Sequence, residues 1–156
     1  MEALLASLEA AWWAQLLRTS RWGYAAISAV HVLGLALLVG AVLPLDLRLL
    51  GFRRFARHEE LMRVLAPVAA AGLAIAIVSG VALLAVRATE YVTLGVMQAK
   101  LALVAAGTLS AIIAHCRHGP ALAEASPGQL AFHGSVSLAC WLGALVCGRL
   151  IAFAGV

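Results

Sequence analysis

Residues 24–45 read YAAISAVHVLGLALLVGAVLPL, a run in which His31 is the only side chain that titrates near neutral pH. A helix rises about 1.5 Å per residue, so about 20 apolar residues cross a hydrocarbon core of about 30 Å. Three later stretches have the same character, at about 65–86, 95–116 and 130–152. Four membrane spans follow. The whole chain agrees: it is 64% hydrophobic and 12% charged, with a mean hydropathy of +1.02, whereas about 25% of a soluble domain is charged. Four spans and their loops account for the 156 residues, so residues 1–156 are expected to form a single membrane domain.

The connections suggest an orientation. The 46–64 segment carries Arg48, Arg53, Arg54, Arg57 and Arg63, and the 117–129 segment adds Arg117. Arg18, Arg21, Arg87 and Arg149 lie on the opposite side. Six arginines against four favour a cytoplasmic arginine-rich loop, with both termini outside. A multi-pass membrane protein is expected. A net charge of +4 is then explained by lipid headgroups rather than by nucleic acid. Cys116, Cys140 and Cys147 form no CxxC pair, so neither a disulfide framework nor a zinc ribbon is indicated.

The first 19 residues lack the basic start of an export signal and carry Glu2 and Glu9. Leu5, Leu8, Trp12 and Leu16 recur at helical spacing, with Trp13 and Trp22 nearby. Residues 2–19 are therefore expected to be one amphipathic helix on the membrane surface. Small residues repeat every four positions at Ala102, Ala106, Ser110 and Ala114, at Ser135, Ala139 and Gly143, and at Ala70 and Ala74. Such rows let helices approach closely in lipid. The expected fold is all-α: an integral membrane antiparallel four-helix bundle with an N-terminal amphipathic surface helix.

Ionisable groups inside a bilayer are costly and are kept for a reason. Counted from the outer surface, His31 and Lys100 fall about 10 Å and 8 Å deep, in one layer. His115 and His133 fall about 30 Å down, in a second layer near the cytoplasmic face. A neutral imidazole ligates iron or relays a proton. Plainer roles exist for each: Lys100 snorkels to water, His115 and His133 sit among headgroups, and His31 bonds to Tyr24 or Ser28 on its own helix. Asp46 and Arg48 read as headgroup anchors at the end of the first span, with Arg48 alternatively meeting a porphyrin propionate. His133, Cys140 and Cys147 share a heptad stripe, which admits a second reading as a copper path with His115 and His118 at its mouth. A third is a membrane subunit without a cofactor.

The run His31-Val32-Leu33-Gly34, followed by Leu43-Pro44-Leu45-Asp46-Leu47-Arg48-Leu49, resembles the first helix of the HemJ-type protoporphyrinogen oxidases. Gln98-Ala99-Lys100-Leu101, with His115 fifteen residues after Lys100, resembles their lysine-then-histidine helix. Related uncharacterised four-helix families share these features, and CopD-type copper-resistance domains do so more loosely. The resemblance covers about a third of the chain. It departs from the family at Ala26–Val30, where an aromatic–lysine pair is expected, and at Leu43–Arg48, where the Leu-Pro-Arg motif is interrupted. It implies haem b held in the outer layer, with His31 on the iron and Lys100 as a second ligand or propionate contact. Arg48, His115 and His133 are further cofactor-site candidates, His133 also as a metal ligand. A redox protein that uses haem with a quinone or another electron-transfer partner is implied more than the oxidase itself. Whether it is an enzyme, and whether it forms a homo-oligomer, stays open.

Overall fold

The computed structural model describes residues 2–52 and 57–153. Arg53 and Arg54 lie outside the described residues. The described residues form helices joined by turns and loops, with no strand among them. The order is α1 (Glu2–Ala10), α2 (Trp12–Thr19), α3 (Arg21–Leu49), α4 (His58–Leu84), α5 (Ala88–Thr93), α6 (Gly95–His118) and α7 (Pro127–Ile151). Helices α3, α4, α6 and α7 are each long and apolar enough to cross a membrane. All four expected spans are present, and α3 and α4 run several residues past the polar ends expected for them.

The helix ends follow from local chemistry. Ser20 accepts the Gly23 amide at 3.0 Å and starts α3. Ser126 and Gln129 cap each other reciprocally at the start of α7, at 2.8 and 3.4 Å, which satisfies two amides that have no partner inside the helix. Gly51 and Gly119, at φ +89° and +76°, take the chain out of α3 and α6 through the left-handed region that glycine enters at little cost.

Helices α3 and α4 meet along glycines. A Cβ built on Gly34 would lie 2.7 Å from the Ala76 nitrogen, and one on Gly72 would lie 2.5 Å from the Leu38 nitrogen. Backbones this close exchange dispersion contacts that larger residues would prevent, which is what holds helices together where lipid removes the hydrophobic drive. Gly107 meets Cys140 and Trp141, Gly143 meets Leu103, and Gly134 meets Leu49 and Asp46. The seams differ from the rows of small residues in the sequence. Ala70, Ala74, Ala102, Ala106, Ser135 and Ala139 are all exposed, whereas Ala114 and Gly143, from the same rows, are packed against neighbouring helices. Glycine displaces alanine at the closest crossings because even one methyl group would collide with the facing backbone. Exposed Val32, Leu33, Val78, Leu109, Ile112 and Val146 present an apolar exterior suited to acyl chains.

The N-terminal segment is two helices rather than one. Ala11 is extended and separates α1 from α2. Both dock on the α4–α6 connection. The Glu9 carboxylate accepts from the Thr89 amide and hydroxyl at 2.7 and 2.8 Å. The Arg18 guanidinium donates twice to the Val86 carbonyl, at 3.1 and 2.6 Å. A straight helix over 2–19 was expected because helical periodicity alone does not register these two anchors. Trp12 and Trp22 remain largely exposed, as interfacial aromatics are.

Candidate functional site

The polar groups of the four long helices collect at two levels. At the first, His31 on α3 meets Ser79 on α4, with Nδ1 3.0 Å from the Ser79 hydroxyl oxygen. Ser79 is 3% exposed and donates its single proton to the Ile75 carbonyl one turn earlier on its own helix. With the proton so placed, its oxygen accepts from an Nδ1–H tautomer of His31, and the Ala76 carbonyl is a further acceptor for the ring. In a neutral imidazole that tautomer leaves Nε2 with a free lone pair. Gly80 adjoins the ring: a Cβ there would fall 3.1 Å from the imidazole Cε1, so glycine makes the room the ring occupies. The expected partners Tyr24 and Ser28 are not the ones used. Both sit on the same helix as His31, whereas Ser79 is offered across the closest helix seam.

Lys100 on α6 is half-buried and close enough to act electrostatically on His31. Its aliphatic stem lies along α7 at Gly148, where a Cβ would be 3.7 Å from both Cε and Nζ. His31 and Lys100 thus occupy one level, as their depths in the sequence suggest.

At the second level lies a cavity of about 250 Å³. Its walls include Leu38, Val42, Leu45, Leu73 and Trp141, and its polar lining includes Asp46, Thr108, Ser110, His115, His133 and Ser137. Asp46 is 4% exposed, and its Oδ2 has no hydrogen-bond partner. The headgroup-anchor reading of Asp46 is corrected here: packing of α3 on Gly134 turns the residue into the protein, not toward lipid. The Ser137 hydroxyl approaches the Asp46 carboxyl. His133, one turn before Ser137 on α7, also has a buried and unpartnered Nδ1. His115 directs Nδ1 to the Ala111 carbonyl at 2.8 Å, which makes Nδ1 the donor and leaves Nε2 free. His115 and His133 therefore do share a level, and they line one cavity. The ring packed on His133 is that of His118, with centroids 5.7 Å apart.

Leu122 closes the end of this cavity. It is 1% exposed, packs with Leu45, Leu49, Met62 and Ala114, and holds φ +51°, which is unfavourable for a residue with a Cβ. The His58 Nε2 reaches its carbonyl at 3.4 Å. Local strain in the 119–126 loop is thus offset by a filled seal.

Other candidates separate. Arg48 lies in the last turn of α3 and is not among the residues lining the cavity. Cys140 is buried in the α6–α7 seam against Gly107, Cys147 lies near Lys100, and Cys116 is exposed. Among the described residues, no three His, Cys, Asp or Glu side chains gather as a metal site would require. Sequence reasoning missed Ser79, Ser137 and the inward turn of Asp46. The signal was available in part, since a serine or acid within an apolar span demands a partner. The identity of that partner depends on helix register. Comparison with protein-family models, with curated proteins and with solved structures gives no match for this chain.

Proposed function

We propose that this chain is a haem-b-binding redox protein of a bacterial inner membrane, built as an antiparallel four-helix bundle, with His31 as the axial ligand. The observation that carries this reading is the His31–Ser79 pair. A ligating histidine is normally fixed by a hydrogen bond from its other ring nitrogen, which sets the tautomer and the ring orientation. Ser79 supplies that bond, which would leave Nε2 as the ligating atom. Porphyrin provides four of the iron's ligands itself, so one or two protein donors suffice. A bare copper or zinc ion needs three or four, and the described residues offer no such group. Lys100, at the same level, would be the second ligand or the partner of a propionate. When bound, haem would supply one-electron chemistry, and the protein would set its burial and ligation.

The helix pairings support the antiparallel arrangement. Along α3, the neighbours on α4 run backward from Gly80 beside His31, through Ala76 beside Gly34, to Gly72 beside Leu38. The bond from His58 to Leu122 brings the α3–α4 and α6–α7 connections to one end, with Arg57, Arg63 and Arg117. Arg18, Arg21, Arg87 and Arg149 belong to the other end, so over the sequence six arginines in and beside the two connections face four. That distribution favours periplasmic termini.

A reduced-minus-oxidised absorbance spectrum of the purified protein, expressed with ample haem, tests the reading. Haem bands are expected, and His31→Ala should abolish them. A protein that is folded, supplied with haem and without such bands would overturn it.

A further inference from the structure

The cavity at the second level is not part of the His31 site, since His31 does not line it. Its physical character narrows what it can hold. An apolar cavity of about 150 Å³ accepts a benzene ring. At about 250 Å³, this one has space for a six-membered ring with small substituents. Leu38, Val42, Leu45, Leu73 and Trp141 would contact the ring faces and edges. Asp46 Oδ2 and His133 Nδ1, on two of the residues that line it, are buried and without partners, an arrangement that costs free energy. A hydrocarbon chain would leave both atoms unpaired. Water would pair them and wet the apolar walls. A ring that bears hydroxyls offers partners to both groups and apolar faces to the walls, because a hydroxyl donates and accepts and so suits a carboxyl or an imidazole in either protonation state.

The entrance is on the lipid side. Ala70 on α4 and Ala111 and Ile112 on α6 line the cavity and are also exposed, so its mouth opens between α4 and α6. Leu122 seals the opposite direction, toward the loops. An occupant therefore arrives from the bilayer, carries an aromatic ring and bears hydroxyl groups.

We propose that this cavity binds the head ring of a quinol dissolved in the membrane. Asp46, held near Ser137, and His133 would take the ring hydroxyls, and Trp141 would pack on the ring. The inference deepens the redox reading by naming the class of its electron-carrying partner, but the binding itself does not require haem.

The test uses the full chain purified in detergent, anaerobically, with Trp141 as the reporter. Duroquinol, a tetramethyl ring with two hydroxyls, is titrated against durene, the same ring without them. Duroquinol should quench a component of the fluorescence that disappears in Trp141→Phe, and durene should bind at least about tenfold more weakly. Asp46→Leu should reduce duroquinol binding to the level of durene. Should Asp46→Leu not fold, Ser137→Ala reports on the same polar end with a smaller effect, and Ala111→Phe blocks the mouth. Equal binding of the two probes, quenching by neither, or duroquinol binding unchanged in the folded variants would each overturn the proposal. A loss of haem bands in His31→Ala leaves this result untouched, and failure here leaves the haem spectrum untouched.

Discussion

The two polar levels of this protein solve the same problem in opposite ways. At the first, the Ser79 hydroxyl oxygen meets His31 Nδ1 across a seam with almost no space in it. At the second, Asp46 and His133, which line a cavity, each keep one buried atom without a partner. A paired group in a tight seam is oriented, and it presents one remaining lone pair in a fixed direction. An unpaired group beside a void waits for a partner. The contrast separates the proposed ligand position from the proposed pocket, and it makes the two levels respond differently to substitution.

The largest effect is expected where the first level depends on backbone contact. Gly72→Leu places a side chain against the Leu38 backbone, which cannot move aside without separating α3 from α4. Overpacking costs about 1–3 kcal/mol in ordinary cores, and more where the obstacle is backbone. Loss of monodisperse protein on size exclusion is expected, together with loss of the His31–Ser79 register. Gly40 is the control, because a Cβ there meets nothing within 4 Å. Gly40→Ala should leave the melting temperature unchanged or raise it. Similar behaviour of the two variants would remove the claim that the seam sets the first level.

Next in size is the seal of the second level. Leu122→Ala removes most of a buried side chain at the cavity's closed end. Truncations of this kind cost about 2–5 kcal/mol. Thermal unfolding in detergent should show that loss without affecting haem bands. A joint loss would mean that the two levels are one cooperative site.

Ser79→Ala addresses the first level chemically rather than sterically. It deletes the acceptor for His31 Nδ1–H and leaves the ligand itself. Loss of such a supporting group typically weakens metal affinity about 10–100-fold. A haem titration should show a shift of that size, and Ser79→Thr should restore part of it. Unchanged affinity in Ser79→Ala would mean that the hydrogen bond does not orient the ligand. At the second level the sign reverses. Asp46→Leu removes a buried carboxyl with one unpartnered oxygen, and burying a polar atom without a hydrogen bond costs stability that an apolar side chain does not. A raised melting temperature with lost duroquinol binding would identify Asp46 as a residue kept at a cost to stability. A lowered melting temperature would mean that the carboxyl is satisfied and structural.

Much of this was legible beforehand, for reasons that also explain the gaps. The four spans follow from length and apolarity, which are properties of each segment alone. The depths of His31 and Lys100 follow from counting at a fixed rise per residue, and the structure brings the two within electrostatic reach. What counting does not supply is rotation about the helix axis. Ser79 was indistinguishable in sequence from any other small polar residue until the α3–α4 seam set it against His31. Asp46, two residues from Arg48, resembled a headgroup anchor until Gly134 allowed α7 to cover it. The small-residue rows held only at Ala114 and Gly143 for the same reason: their spacing is right for a seam, but glycines on neighbouring faces pack closer elsewhere.

The smallest effect concerns the docked N-terminus, which lies outside both levels and supplies a baseline for them. The Glu9 carboxyl is held below the ordinary carboxylate range by the hydrogen bonds from Thr89, with the Arg18 charge adding to them. A lowered folded value means that the contact is fully present above the unfolded value of 4.5 and is lost as pH falls through the folded one. Protection of the Thr89 amide in hydrogen exchange, corrected for the intrinsic rate, should therefore hold at neutral pH and decline several-fold on acidification below 4.5. Glu9→Gln should lower that protection at neutral pH and flatten its pH dependence. The same acidification should leave α3–α4 protection near His31 unchanged, because the Glu9 anchor touches neither helix seam nor cavity. A parallel decline at both places would show that the N-terminal helices support the first level, and the separation drawn between the docked terminus and the membrane core would fail.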